Sequence, residues 1–257
     1  WISKKNLSLL KTNFNNYFED NLYINKLLSK DKNIFEKITQ CLVYEKKLKK
    51  RIERAPVFFD ESLRPKIDID LNEKLFSSQI FDVDRALLSF FGFPAYGVHC
   101  NGWQYKNKSY HMVLAKRSAK ILNFPGCFDN LIGGGQPSIL SLRKNLEKEA
   151  LEEAGLSKET MDNATFCSCS RYFLLNENNF NPSVLFTFDL EINDLFSPKN
   201  IDGEVEEFQK FEISEIFELL DQKKLKPNSI IPIVNFIIKR IDNFFNKSTI
   251  NEIKKYL

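Results

Sequence analysis

Long apolar runs are missing from this chain, and no stretch approaches the roughly 20 residues a helix needs to cross a bilayer. No charged, apolar and small-residue succession at the start reads as a secretory signal, so no membrane partner is expected. Cysteine is scarce. Cys41, Cys100, Cys127, Cys167 and Cys169 are odd in number and lack the paired spacing of a zinc site. Reduced thiols in a cytoplasmic protein are therefore expected, with Cys167 and Cys169 as alternate positions of a strand. Charge of one sign is lacking too. The formal net charge is only +3 and the lysines are dispersed, which argues against a nucleic-acid partner. The two histidines, His99 and His111, fall on a strand pair with no nucleophile beside them and receive no catalytic role.

What is present suffices for a sizeable core. The 257 residues are 43% hydrophobic and 28% charged, enough for one large domain or two small ones. Residues 1 to 55 read as helical, with Leu9, Leu10, Phe14, Tyr17, Phe18 and Leu22 at helical spacing. Ile34, Ile38, Cys41, Leu42, Leu48 and Ile52 give a second amphipathic helix that takes in the basic run Lys46 to Arg54, read as a solvated face. Pro56, Pro65 and the alternating Lys66 to Leu71 mark loops and short strands, and Asp82 to Phe91 reads as a further helix closed by Gly92 and Pro94. A boundary near Ala95 divides residues 1–94 from residues 95–257.

Beyond it, Val98 to Tyr105 and Tyr110 to Arg117 form a hairpin around Lys106-Asn107-Lys108. Arg171 to Leu175 and Val184 to Ile192 are strands, the second with Val184, Phe186, Phe188 and Leu190 on an apolar face. Ser214 should cap a short helix to Leu220. A last helix should start at Asn228 or Ser229, tolerate Pro232 in its first turn, and bury Ile233, Phe236, Ile237 and Ile241.

The most informative stretch is Gly133 to Leu156, GGGQPSILSLRKNLEKEALEEAGL. Glycines lead into a helix that Ser141 can cap and Gly155 can end. Glu149, Glu152 and Glu153, at i, i+3 and i+4, share one face, while Leu146, Ala150, Leu151 and Ala154 project elsewhere to pack on a sheet. Converging like charges call for protons or cations, and hard oxygen donors suit Mg²⁺ or Mn²⁺. Glycines can fold tightly and offer carbonyls to a metal or N–H groups to a phosphate. The string KEALEEAG alone would read as a solvated acidic helix. The glycine run at this distance favours the site.

Gly134, Glu149, Ala150, Glu152-Glu153, Gly155 and Leu156 fall in register with the Nudix box, which this stretch resembles. Leu140 and Lys148 depart from it, standing where the box has Glu and Arg, both read as scaffolding partners. Further matches widen the resemblance to a Nudix branch with an N-terminal extension linked to thiamine pyrophosphokinase. They are Asp84-Arg85-Ala86, Phe91-Gly92, Tyr96 to His99, Asn101-Gly102, Lys116 to Ser118, Lys120, Pro125-Gly126, Asp129-Asn130, Asp202 to Glu206 and Lys226 to Ser229. The resemblance implies an α/β/α sandwich with a mixed sheet, preceded by a mainly helical extension. It also implies divalent-metal-dependent hydrolysis of a small-molecule diphosphate by a monomer or homodimer. Thiamine diphosphate or its oxidised analogues would be cleaved to the monophosphate; a nucleoside-diphosphate-linked substrate, or a non-catalytic ligand-binding module, is the alternative. Glu149, Glu152 and Glu153 would be catalytic and, with the Gly133 carbonyl, would hold the metal. Arg117, Lys120, Gly134 and Gly135 would meet the phosphates, and Glu204 or Glu206 could serve as base. Trp103 and Tyr105 could stack on a heterocycle, though core packing explains them as well.

Overall fold

The computed structural model describes residues 2–14, 31, 33–47, 53–58, 71, 81–176, 179–242 and 244–253. Before the sheet lie α1 (Lys4–Asn13), whose first turn Ser3 caps by accepting from the Asn6 N–H, and α2 (Ile34–Tyr44). The second helix stops at Tyr44, and Lys46 turns to φ 56°, so Glu45 to Lys47 do not continue it. Arg54 instead opens β1 (Arg54–Val57), which pairs antiparallel with β2 (Phe81–Asp84). The helix expected over Asp82 to Phe91 is therefore confined to α3 (Leu87–Phe91). Asp82 is held in the ladder by a bidentate pairing with Arg54 at 2.9 and 3.0 Å. Asp84 then turns the chain by accepting from the Ala86 N–H, and Gly92 ends α3 at φ 65°. Phe35 stacks on Phe81 at 4.9 Å and meets Phe91 edge-on, joining Leu10, Ile38, Val57 and Leu87 in one apolar cluster. The expected helical positions Tyr17, Phe18, Leu22, Leu48 and Ile52, and Pro65 to Asp70, lie outside the described residues.

The main sheet has seven strands in the order β5-β4-β3-β8-β7, with β6 also on β3 and β9 also on β4. The hairpin joins β3 (Ala95–Lys106) to β4 (Ser109–Arg117) through Asn107 and Lys108, at φ 53° and 65°. Two residues at positive φ suit the twist of a two-residue hairpin turn. The strands β5 (Phe128–Asp129), β6 (Ile132–Gly135), β7 (Thr165–Asn176) and β9 (Val205–Glu212) pair antiparallel with their neighbours. Among the strand pairs of the described residues, that of β3 with β8 (Asn179–Glu191) is parallel, which makes the sheet mixed.

Helix α4 (Leu142–Ala154) covers one face, burying Leu146, Ala150 and Ala154 against Val98, Phe186 and Phe188; the short α5 (Lys158–Met161) follows it. Leu151, expected on that stripe, is 57% exposed, because it lies about 100° around the helix from Ala150. The other face is covered by α6 (Ile213–Asp221) and α7 (Ile230–Arg240), through Ile216, Ile233, Phe236 and Ile237 against Trp103, Met112 and Leu114. This is an α/β/α arrangement. It buries β8 on both faces: Leu185, Thr187 and Asp189 are as inaccessible as the apolar set, since α7 packs over them. Glu212, not Ser214, caps α6 through a reciprocal capping box with Glu215. A turn at Pro227–Ser229 leads into α7, which carries Pro232 in its first turn as expected; a further helix, α8 (Lys247–Ile253), follows it. Among the described residues no helix is long and apolar enough to cross a membrane.

The segment before Ala95 is tied into the sheet. The Tyr96 hydroxyl donates to the Phe58 carbonyl, the Ser138 N–H to that of Arg54 and the Arg143 N–H to that of Leu71. Phe58 is fully buried in the cluster beneath α4.

Candidate active site

The glycine run folds as strand β6 rather than as a loop, pairing Gly133 with His99 and Gly134 with Val98. Ser141 caps α4 by accepting from the Lys144 N–H at 3.2 Å, and Gly155 ends it at φ 62°. The helix thus lies against β6 with two carboxylates at the strand. Glu153 is 7% exposed and accepts from the Gly133 N–H at 2.9 Å. In an antiparallel ladder a residue's N–H and C=O point to the same side, so the Gly133 carbonyl shares this open edge. Glu149 lies over Gly134: a Cβ there would come within 2.2 Å of the Glu149 carboxyl carbon. Gly134 is required for close approach, not for a special backbone angle.

Burial pushes the Glu153 carboxyl well above its ordinary value, with the Gly133 N–H opposing and Asp129 and Glu149 adding to the rise. Burial also raises Glu149, against the pull of Lys148. Glu152 is turned away: it takes the Lys148 ammonium at 2.8 Å and its side chain is 44% exposed. Lys148 also lies 3.2 Å from Glu149 and 3.8 Å from Glu53, so three carboxylates surround one ammonium. Among the described residues no group of three or more His, Cys, Asp or Glu side chains could hold a metal as arranged. The donors nonetheless fit a hard divalent ion in kind: a buried carboxylate, Glu153, and a half-buried one, Glu149, the latter paired with Lys148, beside a cradle that a single Cβ would fill.

A second cluster, not foreseen from spacing, lies under the same strand. Asp129 is buried and accepts from Lys226 Nζ at 2.6 Å, Arg117 Nη1 at 3.1 Å and the Ser229 hydroxyl. Burial works to raise its pKa, but Lys226 and His99 hold it well below the usual carboxylate range. His99 packs under Gly133, with Nδ1 2.6 Å from Asn130 Oδ1, and burial followed by Lys226 brings its pKa down to about 4. Asn130 donates to Asn101 and Asn101 to Asp189, carrying the network across the sheet.

The remaining expected residues disperse. Arg117 is spent on Asp129 and the Asn123 carbonyl, and Lys120 is exposed, its N–H turned to Ser118 Oγ. Gly135 lies under Arg85 rather than open to a phosphate. Glu204 and Glu206 are exposed, and Glu206 pairs with Lys116 at 3.4 Å. Trp103 is buried against Phe236 under Arg240, whereas Tyr105 is 56% exposed.

Two chloroplastic proteins of Arabidopsis thaliana carry the sequence likeness. Nudix hydrolase 20 is 34% identical over 160 residues, which are 62% of this chain and 43% of that protein. Nudix hydrolase 24 is 32% identical over 160 residues, 62% of this chain and 44% of that protein. These matches support a place in the Nudix hydrolase superfamily. The chain spans less than half the length of either Nudix relative, and no family model matches it. The NUDIX domain of Shewanella oneidensis NrtR, solved with ADP ribose, superposes with a TM-score of 0.45 at 11% identity, over 57% of this chain and 88% of that one.

Within this Nudix-like stretch, Gly134 yields a direct check. Gly134→Ala should fold, because the atoms in its way are the end of the flexible Glu149 side chain. It should displace that carboxylate by about an ångström and lower turnover on the order of 10²-fold, with little change in melting temperature. Phosphate-release rates and a thermal melt test this; undiminished turnover would remove Glu149 from the machinery.

Proposed function

We propose that this chain is a divalent-metal-dependent hydrolase that splits a diphosphate joined to another group, attacking with water. The observation that carries the reading is the pair of carboxylates, Glu153 buried and Glu149 half-buried, set against the side-chain-free strand Gly133 to Gly135. Glu149 and Glu153, with the Gly133 carbonyl, would hold the ion, while Glu152 stays turned to Lys148. When bound, Mg²⁺ or Mn²⁺ would neutralise diphosphate charge and make a coordinated water more acidic. Glu153 keeps Oε2 on the Gly133 N–H, which fixes its carboxyl plane. Its Oε1 is the oxygen left to meet the ion or to take the proton from the attacking water. Lys148, on Glu149 and Glu152, limits repulsion within the acidic face.

For substrate we propose thiamine diphosphate or its oxidised analogues, cleaved to the monophosphate and phosphate. The support is the spread of branch-like residues from Asp84 to Ser229. Several of them, Asn101, Arg117, Asp129, Asn130, Lys226 and Ser229, share the hydrogen-bonded cluster beneath Gly133. The experiment is Mg²⁺- and Mn²⁺-dependent phosphate release from oxidised thiamine diphosphates, thiamine diphosphate, ADP-ribose and nucleoside triphosphates. Thiamine-type turnover is expected. Turnover confined to nucleotides removes the thiamine assignment, and none with any compound removes the enzyme.

A further inference from the structure

The cations near β6 are mostly engaged. Arg117 and Lys226 both point into Asp129, and Lys148 is shared by three carboxylates. Arg85 differs. It comes from the segment before the sheet, its side chain is 41% exposed, and among the described residues it makes one ion pair, Nη1 to Glu53 Oε2 at 2.9 Å. Its guanidinium comes so close to β6 that a Cβ on Gly135 would fall 1.6 Å from Nη2. Gly135 adjoins Gly134, over which Glu149 lies, and Glu53 reaches on to Lys148 at 3.8 Å. One carboxylate thus links Arg85 to the charged group around Glu149, whose ionisation Glu53 opposes.

This has a chemical meaning. A guanidinium has five N–H donors in a planar fork, and Glu53 takes one, leaving Nη2 and Nε for a second anion. Phosphate oxygens match that fork bidentately. Glu53 limits the side chain's freedom, which lowers the entropy cost of binding. The absent Cβ at Gly135 leaves the room that the guanidinium occupies. Glycine at 134 therefore admits the carboxylate and glycine at 135 admits the arginine.

We propose that Arg85, held by Glu53 and seated on Gly135, binds the diphosphate of the substrate, so that the segment before Ala95 supplies part of the site. The inference rests on the hydrolase reading for its substrate class but makes a separate claim about binding. Arg85 anchors the phosphate beside the carboxylates, and Glu53 acts through Arg85 as a positioning residue.

The test uses the full chain and methylenediphosphonate, a diphosphate whose bridging oxygen is replaced by a methylene, with binding read by calorimetry in Mg²⁺. Arg85→Ala should weaken binding on the order of 10–100-fold, the loss expected for a charge-assisted hydrogen bond. With a turned-over diphosphate, KM should rise far more than kcat falls. Arg85→Lys should recover part of the affinity, and Gly135→Ala, which pushes the guanidinium aside while leaving its charge, should move binding in the direction of Arg85→Ala. Equal melting temperatures in Arg85→Ala and the unaltered chain exclude a folding effect; should Arg85→Ala melt early, Gly135→Ala carries the comparison. Unaltered affinity and KM in both variants would overturn the inference while leaving the hydrolase reading intact. An analogue that binds through Arg85 with no diphosphate ever turned over would do the reverse.

Discussion

Replacing Glu153 by Gln should lower kcat on the order of 10²–10⁴-fold, the range typical of a lost general base, and at the same time raise the melting temperature of the metal-free protein. Gln keeps an oxygen for the Gly133 N–H, so the join between α4 and β6 survives. What disappears is a buried charge. The Glu153 carboxyl is raised by burial in the folded state, while the unfolded chain ionises it in the ordinary range near 4.5. Between those two values the folded protein holds a proton that the unfolded chain has released, so stability falls as pH rises through the window, and the loss is complete above the raised value. Melting curves in chelator should show this decline for the unaltered protein and a flatter profile for Glu153→Gln. Mn²⁺ at about a hundred times its Kd should return about 2.7 kcal/mol to the former and far less to the variant. Full activity in Glu153→Gln, or the same pH profile in both, would contradict this placement of the site.

Asp129→Ala should be the most damaging to stability, by about 3–5 kcal/mol, because it removes one partner of a buried ion cluster and strands the others. Lys226 and Arg117 are both mostly buried and both aim at Asp129; without it two cations face each other beside His99. The folded-state pKa of Asp129 is depressed, so its contribution is present above the ordinary 3.8 and is lost as pH falls through the folded value. Urea titrations at neutral pH should therefore show the full deficit, and the gap between the proteins should narrow only in strong acid. A deficit within about 0.5 kcal/mol, the size of a surface change, would mean that the cluster does not hold β5, β6 and the turn before α7 together.

Much of the carboxylate site was legible because its parts are local. Ser141, Glu149, Glu153 and Gly155 are related by helical spacing and capping rules, and the structure places them accordingly. Asn107 and Lys108 likewise announced the hairpin, within one residue. What escaped the sequence depends on partners far along the chain. The Asp82 to Asp84 segment is a strand because Arg54 meets it, and Arg54 belongs to a run whose lysines suggested one continuous helix. Thr187 and Asp189 look like a solvated strand face, yet α7 covers them and Asn101 satisfies the Asp189 carboxylate. His99, Asp129 and Lys226 carry no mutual spacing signal, and their convergence is a product of the sheet. Glu152 sat in register with Glu149 and Glu153, but Lys148, at i−4, draws it outward.

The parallel pairing of β3 with β8 also governs when this molecule can exist at all. Asn101 and Asp189 meet across β3 and β8 although 88 residues separate them in the chain. During synthesis β3 must wait, its apolar middle bare, until the ribosome has delivered the strand that lies beside it. Such long-range closure is slow and leaves sticky surface uncovered meanwhile. Nascent chains released before β8 should therefore clump, and refolding yield should fall steeply with concentration.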